Sequence, residues 1–224
     1  MNIKIHGLSR SGNHAIIFWM CHNISDDIIE AEDQVYFDKE NKICFVNNAE
    51  IYSTEFRNNI NTKSYENIIR SYEDSDFIDQ DDSFVILRDF LNLVCSRYKL
   101  YHKQLGYTKK YCTGIENLIA LWKRHSTSKK AILYNQWILS KSYRDEVGRM
   151  IKILNLKDNF EYVSRIGNGS SFGGVKLCRA EDYLKRYEKI KLPKYMAEVM
   201  LDDKELVRIN KDLFDIDLSN VKSI

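Results

Sequence analysis

The sequence is poor in the features that cross-link small proteins or anchor them in a bilayer. Its five cysteines are an odd number, widely spaced and without a CxxC pair, which argues against a disulfide framework and a structural zinc site. No segment approaches the roughly 20 apolar residues that cross a bilayer, and the N-terminus has neither the apolar run nor the cleavage pattern of a signal peptide. We therefore expect reduced, mostly buried thiols in a cytoplasmic protein without a membrane anchor.

An excess of charge of one sign is also lacking, because 34 Lys and Arg against 32 Asp and Glu leave a formal net charge of +2. Without a global basic field we expect no nucleic-acid partner, and any anion site has to come from local placement of Arg and Lys. The most acidic stretch, 73–82, is predicted to be a solvated loop. A hydrophobic content of 44% over 224 residues fits one globular domain that spans 1–224.

Short apolar runs alternate with helical patterns along most of the chain. The polar segment 53–71 is interpreted as a helix, and the tail from residue 179 as charged helices interrupted by Pro193, the single proline. The alternation predicts an α/β fold, a three-layer sandwich with a central parallel sheet and a helical C-terminal tail. Strands are predicted at 2–6, 43–46, 84–87 and 131–134, and helices at 13–21, 91–102, 115–125 and 144–154.

A glycine-bounded loop connects the first predicted strand to the first predicted helix. Gly7 and Gly12 have the spacing GxxxxG, and such a loop directs backbone N–H groups and a helix N-terminus at one point, where they bind phosphate or sulfate. A nucleoside-triphosphate loop would continue with Lys and a hydroxyl residue, but Asn13 and His14 follow Gly12. The cation of this loop is Arg10, which lies inside it, and a nucleoside triphosphatase is therefore disfavoured.

A second candidate anion site follows the apolar strand at 84–87. Arg88 stands at the carboxyl end of this strand, where α/β sheets bind their ligands, and its planar fork of donors matches phosphate. Ser96 lies eight positions later on the predicted helix, where it can face the same crevice and add a neutral donor. The sequence thus predicts two anion sites at the ends of two strands.

These residues resemble the sulfotransferases that use 3′-phosphoadenosine-5′-phosphosulfate (PAPS). Residues 9–14 read Ser-Arg-Ser-Gly-Asn-His and resemble the family's 5′-phosphosulfate loop, P-[KR]-[ST]-G-[TS]-[TS], with Ser9 in place of the proline and Asn13-His14 in place of the hydroxyl pair. Arg88 and Ser96 are similar in spacing to the family's pair that binds the 3′-phosphate. The resemblance extends from residue 3 to about residue 175 and implies a P-loop nucleotide-hydrolase-like fold.

Two later regions extend the resemblance. Residues 132–137 resemble a later strand of the family, written as an apolar pair followed by Y-E-D-L, and support the fold. Arg165 and Gly167 open a glycine-rich loop in the place of a family loop that touches the 3′-phosphate or the adenine, although a plain flexible lid is an equally good interpretation. In all, the resemblance implies that the donor is bound by Ser9, Arg10, Ser11, Gly12, Asn13, His14, Arg88, Ser96, Arg165 and Gly167.

Sulfuryl transfer needs a base for the acceptor's proton and stabilisation of the charge on the transferring group and the leaving phosphate. Arg10 and the loop amides can stabilise that charge by electrostatic preorganisation, so we expect Arg10 to be catalytic and no metal to be required. The resemblance implies a glutamate some twenty or more residues after the loop cation, which makes Glu32 or Glu30 the first candidate base and His14 the next. His6 is interpreted as a packed histidine at a strand end.

Three functions remain open on the sequence. The leading one is an enzyme that moves a sulfuryl group from PAPS to a hydroxyl or amine of a carbohydrate, small-molecule or protein acceptor and leaves 3′-phosphoadenosine-5′-phosphate (PAP). The second is a small-molecule or nucleotide kinase on the related P-loop fold, which is weakened by Asn13 where Lys should stand. The third is a non-catalytic PAP-binding module that keeps the anion sites and has lost its base.

Overall fold

The computed structural model describes residues 2–8, 11–25, 28–31, 35–38, 43–46, 67–76, 80–104, 114–153, 156 and 184–224. Every structural statement below concerns these residues. In chain order the elements are β1 (Asn2–Gly7), α1 (Asn13–Ile24), β2 (Ile28–Ala31), β3 (Val35–Asp38), β4 (Ile43–Val46), β5 (Asn67–Glu73), β6 (Ser83–Leu87), α2 (Phe90–Gln104), α3 (Ile115–Ser126), β7 (Ala131–Leu133), α4 (Tyr134–Leu139), α5 (Lys141–Met150), β8 (Lys191–Leu192), α6 (Lys194–Asp202), α7 (Lys204–Phe214) and β9 (Lys222–Ser223).

The strands of the described segments form one large sheet and one small pair. The large sheet has the order β2-β3-β4-β5-β1-β6-β7, and β8 pairs with β9. The run β4-β5-β1-β6-β7 is parallel throughout, whereas β3 joins β4, and β2 joins β3, in antiparallel pairs. Antiparallel strands thus extend one edge of an otherwise parallel sheet, and β1 lies inside the parallel part.

Helices cover both faces of the parallel strands. On one face α1, α4 and α5 enclose an apolar cluster in which Trp19 and Trp137 meet edge to face with their ring centroids 5.8 Å apart. On the other face α2, α3, α6 and α7 enclose a second cluster, where Phe90 packs against Trp122 at 5.6 Å. Strand β6 is buried along its whole length, as expected of a strand covered on both sides. The predicted α/β sandwich with a central parallel sheet is confirmed.

The interpretation of segment 53–71 as a helix is wrong in its last part. Residues 67–71 belong to β5, which runs between β4 and β1 and pairs in parallel with both; residues 53–66 lie outside the described residues. These residues form a strand because β4 and β1 supply hydrogen-bond partners on both sides. These tertiary contacts outweigh the weak helical pattern of the local sequence. The strands β2 and β3 were also not predicted.

The acidic stretch 73–82 is partly bound to the domain by ion pairs. Asp74 pairs with Arg97 of α2, and Asp76 pairs with Arg124 of α3. Lys4 of β1 lies 3.3 Å from a carboxylate oxygen of Asp82. The described part of this loop is therefore exposed, as predicted, but it is also held against three elements of the fold.

Two cysteines have side chains that the structure describes, and both have the predicted state. Neither Cys21 nor Cys95 forms a disulfide, and both are buried; burial raises the pKa of the Cys95 thiol to about 12. A thiol with so high a pKa is protonated and inert at neutral pH. None of the described helices has both the length and the apolar character that a membrane crossing requires.

Candidate functional site

The ends of three neighbouring parallel strands define the candidate site. Gly7 at the end of β1 pairs with Ile86 of β6, and Leu87 of β6 pairs with Leu133 of β7. The loop after β1, the Arg88 corner after β6 and Tyr134 after β7 therefore leave the sheet at the same edge. Parallel α/β sheets bind ligands at this carboxyl edge, and the sequence predicted that the first two of these places face a common cleft.

The loop after β1 is shaped by hydrogen bonds to the Leu8 carbonyl. This oxygen accepts from the backbone N–H of Ser11 at 2.9 Å, from the Ser11 hydroxyl, and from the Asn13 amide at 3.4 Å. The Ser11 hydroxyl also lies 3.0 Å from Oδ1 of Asn13. Both side chains are almost fully buried. The side chains of Ser11 and Asn13 and the backbone N–H of Ser11 are therefore directed back to the end of β1.

Gly12 joins this loop to α1 in a conformation that other residues rarely adopt. Its φ is 98° and its ψ 15°, a left-handed geometry that costs L-residues with a Cβ roughly 1–2 kcal/mol. A Cβ at this position would also overlap the ring of Tyr134. The backbone thus approaches Tyr134 closely, and the N-terminus of α1, with its positive dipole end, begins at this contact.

Arg88 is buried beside the same aromatic ring. Its side chain is 2% exposed, and its guanidinium carbon lies 5.0 Å from the centroid of the Tyr134 ring, in the geometry of a cation–π contact. The Arg88 carbonyl accepts a hydrogen bond from Nε1 of Trp122 at 2.8 Å. Tyr134 therefore lies next to a residue of each predicted anion site, Gly12 and Arg88.

Asp89 follows Arg88 and is completely buried. Its carboxylate accepts from the backbone N–H of Asn92 at 2.8 Å, which caps α2, and from the amide of Asn135 at 2.9 Å. Burial raises the pKa of the Asp89 carboxyl, while the neighbouring Arg88 charge and these hydrogen bonds act in the opposite direction. The donors around the carboxylate are what make its burial tolerable.

Ser96 lies in the second turn of α2 and is 1% exposed. The next residue, Arg97, forms the ion pair with Asp74, whose backbone N–H donates to the Gly7 carbonyl at 3.0 Å. This pair connects the second turn of α2 to the strand ends at β5 and β1. The turn of α2 that carries Ser96 therefore lies near the edge of the sheet where the loop after β1 begins.

The remaining predicted site residues are placed only in part or not at all. Ser9, Arg10, Glu32, Arg165 and Gly167 lie outside the described residues, and His14 is placed in α1 by its backbone alone. Their roles stay predictions. Among the described residues no group of three or more His, Cys, Asp or Glu side chains could hold a metal ion.

Glu30 is placed by its backbone on β2. Three strands, β3, β4 and β5, separate β2 from β1 in the sheet, which at about 4.8 Å per strand is a distance of about 19 Å. This position does not bring Glu30 to the loop after β1. The assignment of the base to Glu30 is thus not supported by the order of the strands.

His6 near the end of β1 is packed, as the sequence predicted. Its ring stacks on Tyr72 of β5 with the centroids 5.0 Å apart. Burial, with a smaller contribution from the charge of His125, lowers the pKa of His6 to about 4. The ring is therefore neutral at pH 7.

Tyr134 and Asn135 are residues of this edge whose place the sequence did not predict. The tyrosine was part of the stretch that supported the fold, and the strand predicted to include it ends one residue earlier, at Leu133. Tyr134 could have been identified from its position directly after a strand, because Arg88 has the same position after β6. An aromatic residue there can support a cation from the neighbouring strand end.

Comparison with solved structures finds the same fold in a sulfotransferase. The mouse sulfotransferase SULT7A1 complexed with PAP has a TM-score of 0.52 to this chain at 13% sequence identity, over 95% of this chain and 88% of that chain. No protein-family model matches the chain, and no curated protein matches it significantly. The structural likeness establishes the fold as a P-loop-like α/β sandwich of the kind that this sulfotransferase has.

Proposed function

We propose that the protein transfers a sulfuryl group from PAPS to a hydroxyl or amine of an acceptor. The observation that supports this proposal is that Gly12 and Arg88 both lie against the ring of Tyr134. We infer from it that the two candidate anion sites bind one nucleotide with phosphate at both ends. The solved sulfotransferase of similar fold is a PAP complex, which supports the same donor.

Each site has its own part in the proposed reaction. The N–H groups of the loop and the N-terminus of α1, with Arg10, bind the 5′-phosphosulfate and stabilise charge on the bridging oxygen as it leaves with the PAP product. Arg88 and Ser96 bind the 3′-phosphate, and Arg165 and Gly167 contact the 3′-phosphate or the adenine. The acceptor is a carbohydrate, a small molecule or a protein. The chemistry requires no metal, because the cations and amides supply the electrostatic stabilisation.

Binding of the product nucleotide tests the donor class directly. We expect PAP to bind with a Kd on the order of 1 µM, about −8 kcal/mol, in a calorimetric titration without magnesium. ATP with magnesium should bind much more weakly, because Asn13 occupies the place of the phosphate-binding lysine and its amide contacts Leu8. The reverse preference would replace the sulfotransferase proposal by a kinase.

The base that accepts the acceptor's proton is proposed to be Glu32, with His14 as the next candidate. We expect Glu32→Gln to lower turnover roughly hundredfold at saturating PAPS without changing PAP affinity. Glu30→Gln is measured beside it, because Glu30 lies two positions earlier, on β2, and is the other carboxylate of the same candidate pair. If Glu32→Gln and His14→Gln both turn over at the wild-type rate, neither residue is the base.

A further inference from the structure

The corner between β6 and α2 is held by side chains from distant parts of the chain. Arg88 and Asp89 are the two residues between these elements. Trp122 of α3 donates to the Arg88 carbonyl at 2.8 Å. Asn135 of α4 donates to the Asp89 carboxylate at 2.9 Å, and its Oδ1 lies 3.4 Å from the Asp89 backbone nitrogen. The backbone that carries the Arg88 side chain is therefore fixed from outside the local sequence.

Two N–H groups in the first turn of α2 already have side-chain acceptors. The Asp89 carboxylate accepts from the N–H of Asn92, and Oδ1 of Asn210, from α7, accepts from the N–H of Phe90 at 2.8 Å. These are N–H groups for which the helix itself has no acceptor, and elsewhere such groups bind anions. Because protein side chains occupy these two groups, an anion at this corner depends on other donors, of which the Arg88 side chain is the charged one.

Asn210 lies on the buried face of the amphipathic helix α7, where its side-chain amide is enclosed by the protein. It is 0% exposed, as is Leu206 one turn earlier on α7. Its Oδ1 binds Phe90, and its Nδ2 donates to the Ile216 carbonyl at 2.7 Å, so both ends of the amide are used. A buried amide is tolerated only when it is hydrogen-bonded, and a leucine would otherwise suit this position. The asparagine thus specifically joins the C-terminal segment to the start of α2.

We propose that Asn210 is a positioning residue for Arg88, and that the C-terminal helix α7 is therefore part of the donor site. The inference rests on the proposed function. Asn210 fixes Phe90, the Asn92 and Asn135 amides fix Asp89, and Arg88 projects from this fixed corner onto Tyr134. A guanidinium whose orientation is already fixed loses less conformational entropy when it binds a phosphate. The resulting increase in affinity applies only to a ligand that carries the phosphate bound by Arg88.

The test compares two ligands that differ in one phosphate. PAP and adenosine-5′-monophosphate (AMP) are titrated by calorimetry into the wild type and into Asn210→Leu, below the melting temperature of each. We expect Asn210→Leu to lower the preference for PAP over AMP by roughly tenfold, the effect of one misaligned charge-assisted hydrogen bond. AMP affinity itself should change little, because AMP lacks the 3′-phosphate that Arg88 is proposed to bind.

Leu206→Ala is the matched control. It weakens the packing of the same helix at an equally buried position but removes no hydrogen bond to the corner between β6 and α2. It should lower the melting temperature and leave the PAP-to-AMP preference unchanged. If Asn210→Leu lowers the affinity for both ligands equally, or leaves the preference intact, Asn210 has only a structural role and the inference is wrong. Should Asn210→Leu not fold, Asn210→Ser, whose side chain is too short to reach both partners, is measured with the same expectation.

The same titrations separate this inference from the proposed function. A wild type that binds PAP no better than AMP contradicts the proposed function itself, and the inference with it. A wild type that prefers PAP, together with an Asn210 variant that keeps the preference, contradicts the inference alone.

Discussion

Arg88→Ala is expected to weaken PAP binding by roughly a hundredfold or more. The guanidinium can form two charge-assisted hydrogen bonds to a phosphate, each contributing about 1.5–3 kcal/mol, and every 1.4 kcal/mol corresponds to about tenfold in affinity. The N–H groups of Phe90 and Asn92 are already occupied, so these two groups do not replace the lost donors. Calorimetric titration with PAP measures the effect, and AMP affinity should fall far less.

Two variants control for the burial of Arg88. Arg88→Met keeps most of the side-chain volume against Tyr134 and should lose PAP affinity as severely as the alanine variant, while melting closer to the wild type. Arg124→Ala removes an exposed arginine that pairs with Asp76 and should bind PAP normally. A folded Arg88→Met protein with PAP affinity within threefold of the wild type would mean that the second anion site lies elsewhere.

Gly12→Ala is expected to destabilise the protein by about 2–5 kcal/mol and to abolish donor binding. The left-handed backbone costs roughly 1–2 kcal/mol, and the overlap of the new Cβ with the Tyr134 ring adds about 1–3 kcal/mol of overpacking. To relieve this overlap, either the loop or the Tyr134 ring has to move, and the ring also contacts Arg88. Urea unfolding and PAP titration together measure the two effects.

A double-mutant cycle separates the two causes of this loss. In a Tyr134→Ala background the overlap is gone, so Gly12→Ala should cost only the backbone part, roughly 1–2 kcal/mol. Gly114→Ala is the control at a glycine with φ of −48°, where a Cβ would meet the end of the Glu116 side chain. If Gly12→Ala costs the same with and without the Tyr134 ring, the ring does not contact the loop as described.

The sequence predicted those parts of the site that depend on short segments. The loop between Gly7 and Gly12 could be identified because a strand, a glycine-bounded turn and a helix leave their pattern within some twenty residues. Arg88 could be identified because a continuous apolar run of four residues precedes it. In both cases the structure places the residue at the predicted end of the predicted element.

The sequence predicted poorly where partners far along the chain decide the conformation. Residues 67–71 became a strand because β4 and β1 flank them, although the longer segment 53–71 is interpreted from the sequence as a helix. Asn210 reaches Phe90 across 120 residues of sequence, a contact for which no local pattern exists.

The amino-acid sequence alone determined which chemical groups stand at the ends of the strands: a glycine-bounded loop after β1 and an arginine after β6. The reason is that side-chain periodicity and turn residues act over a few positions. Only the tertiary structure decided that these ends are neighbours, that Tyr134 lies against both and that Asn210 of α7 binds the start of α2 beside Arg88. Strand order and helix packing depend on contacts between distant residues, and those contacts exist only once the whole sheet has formed.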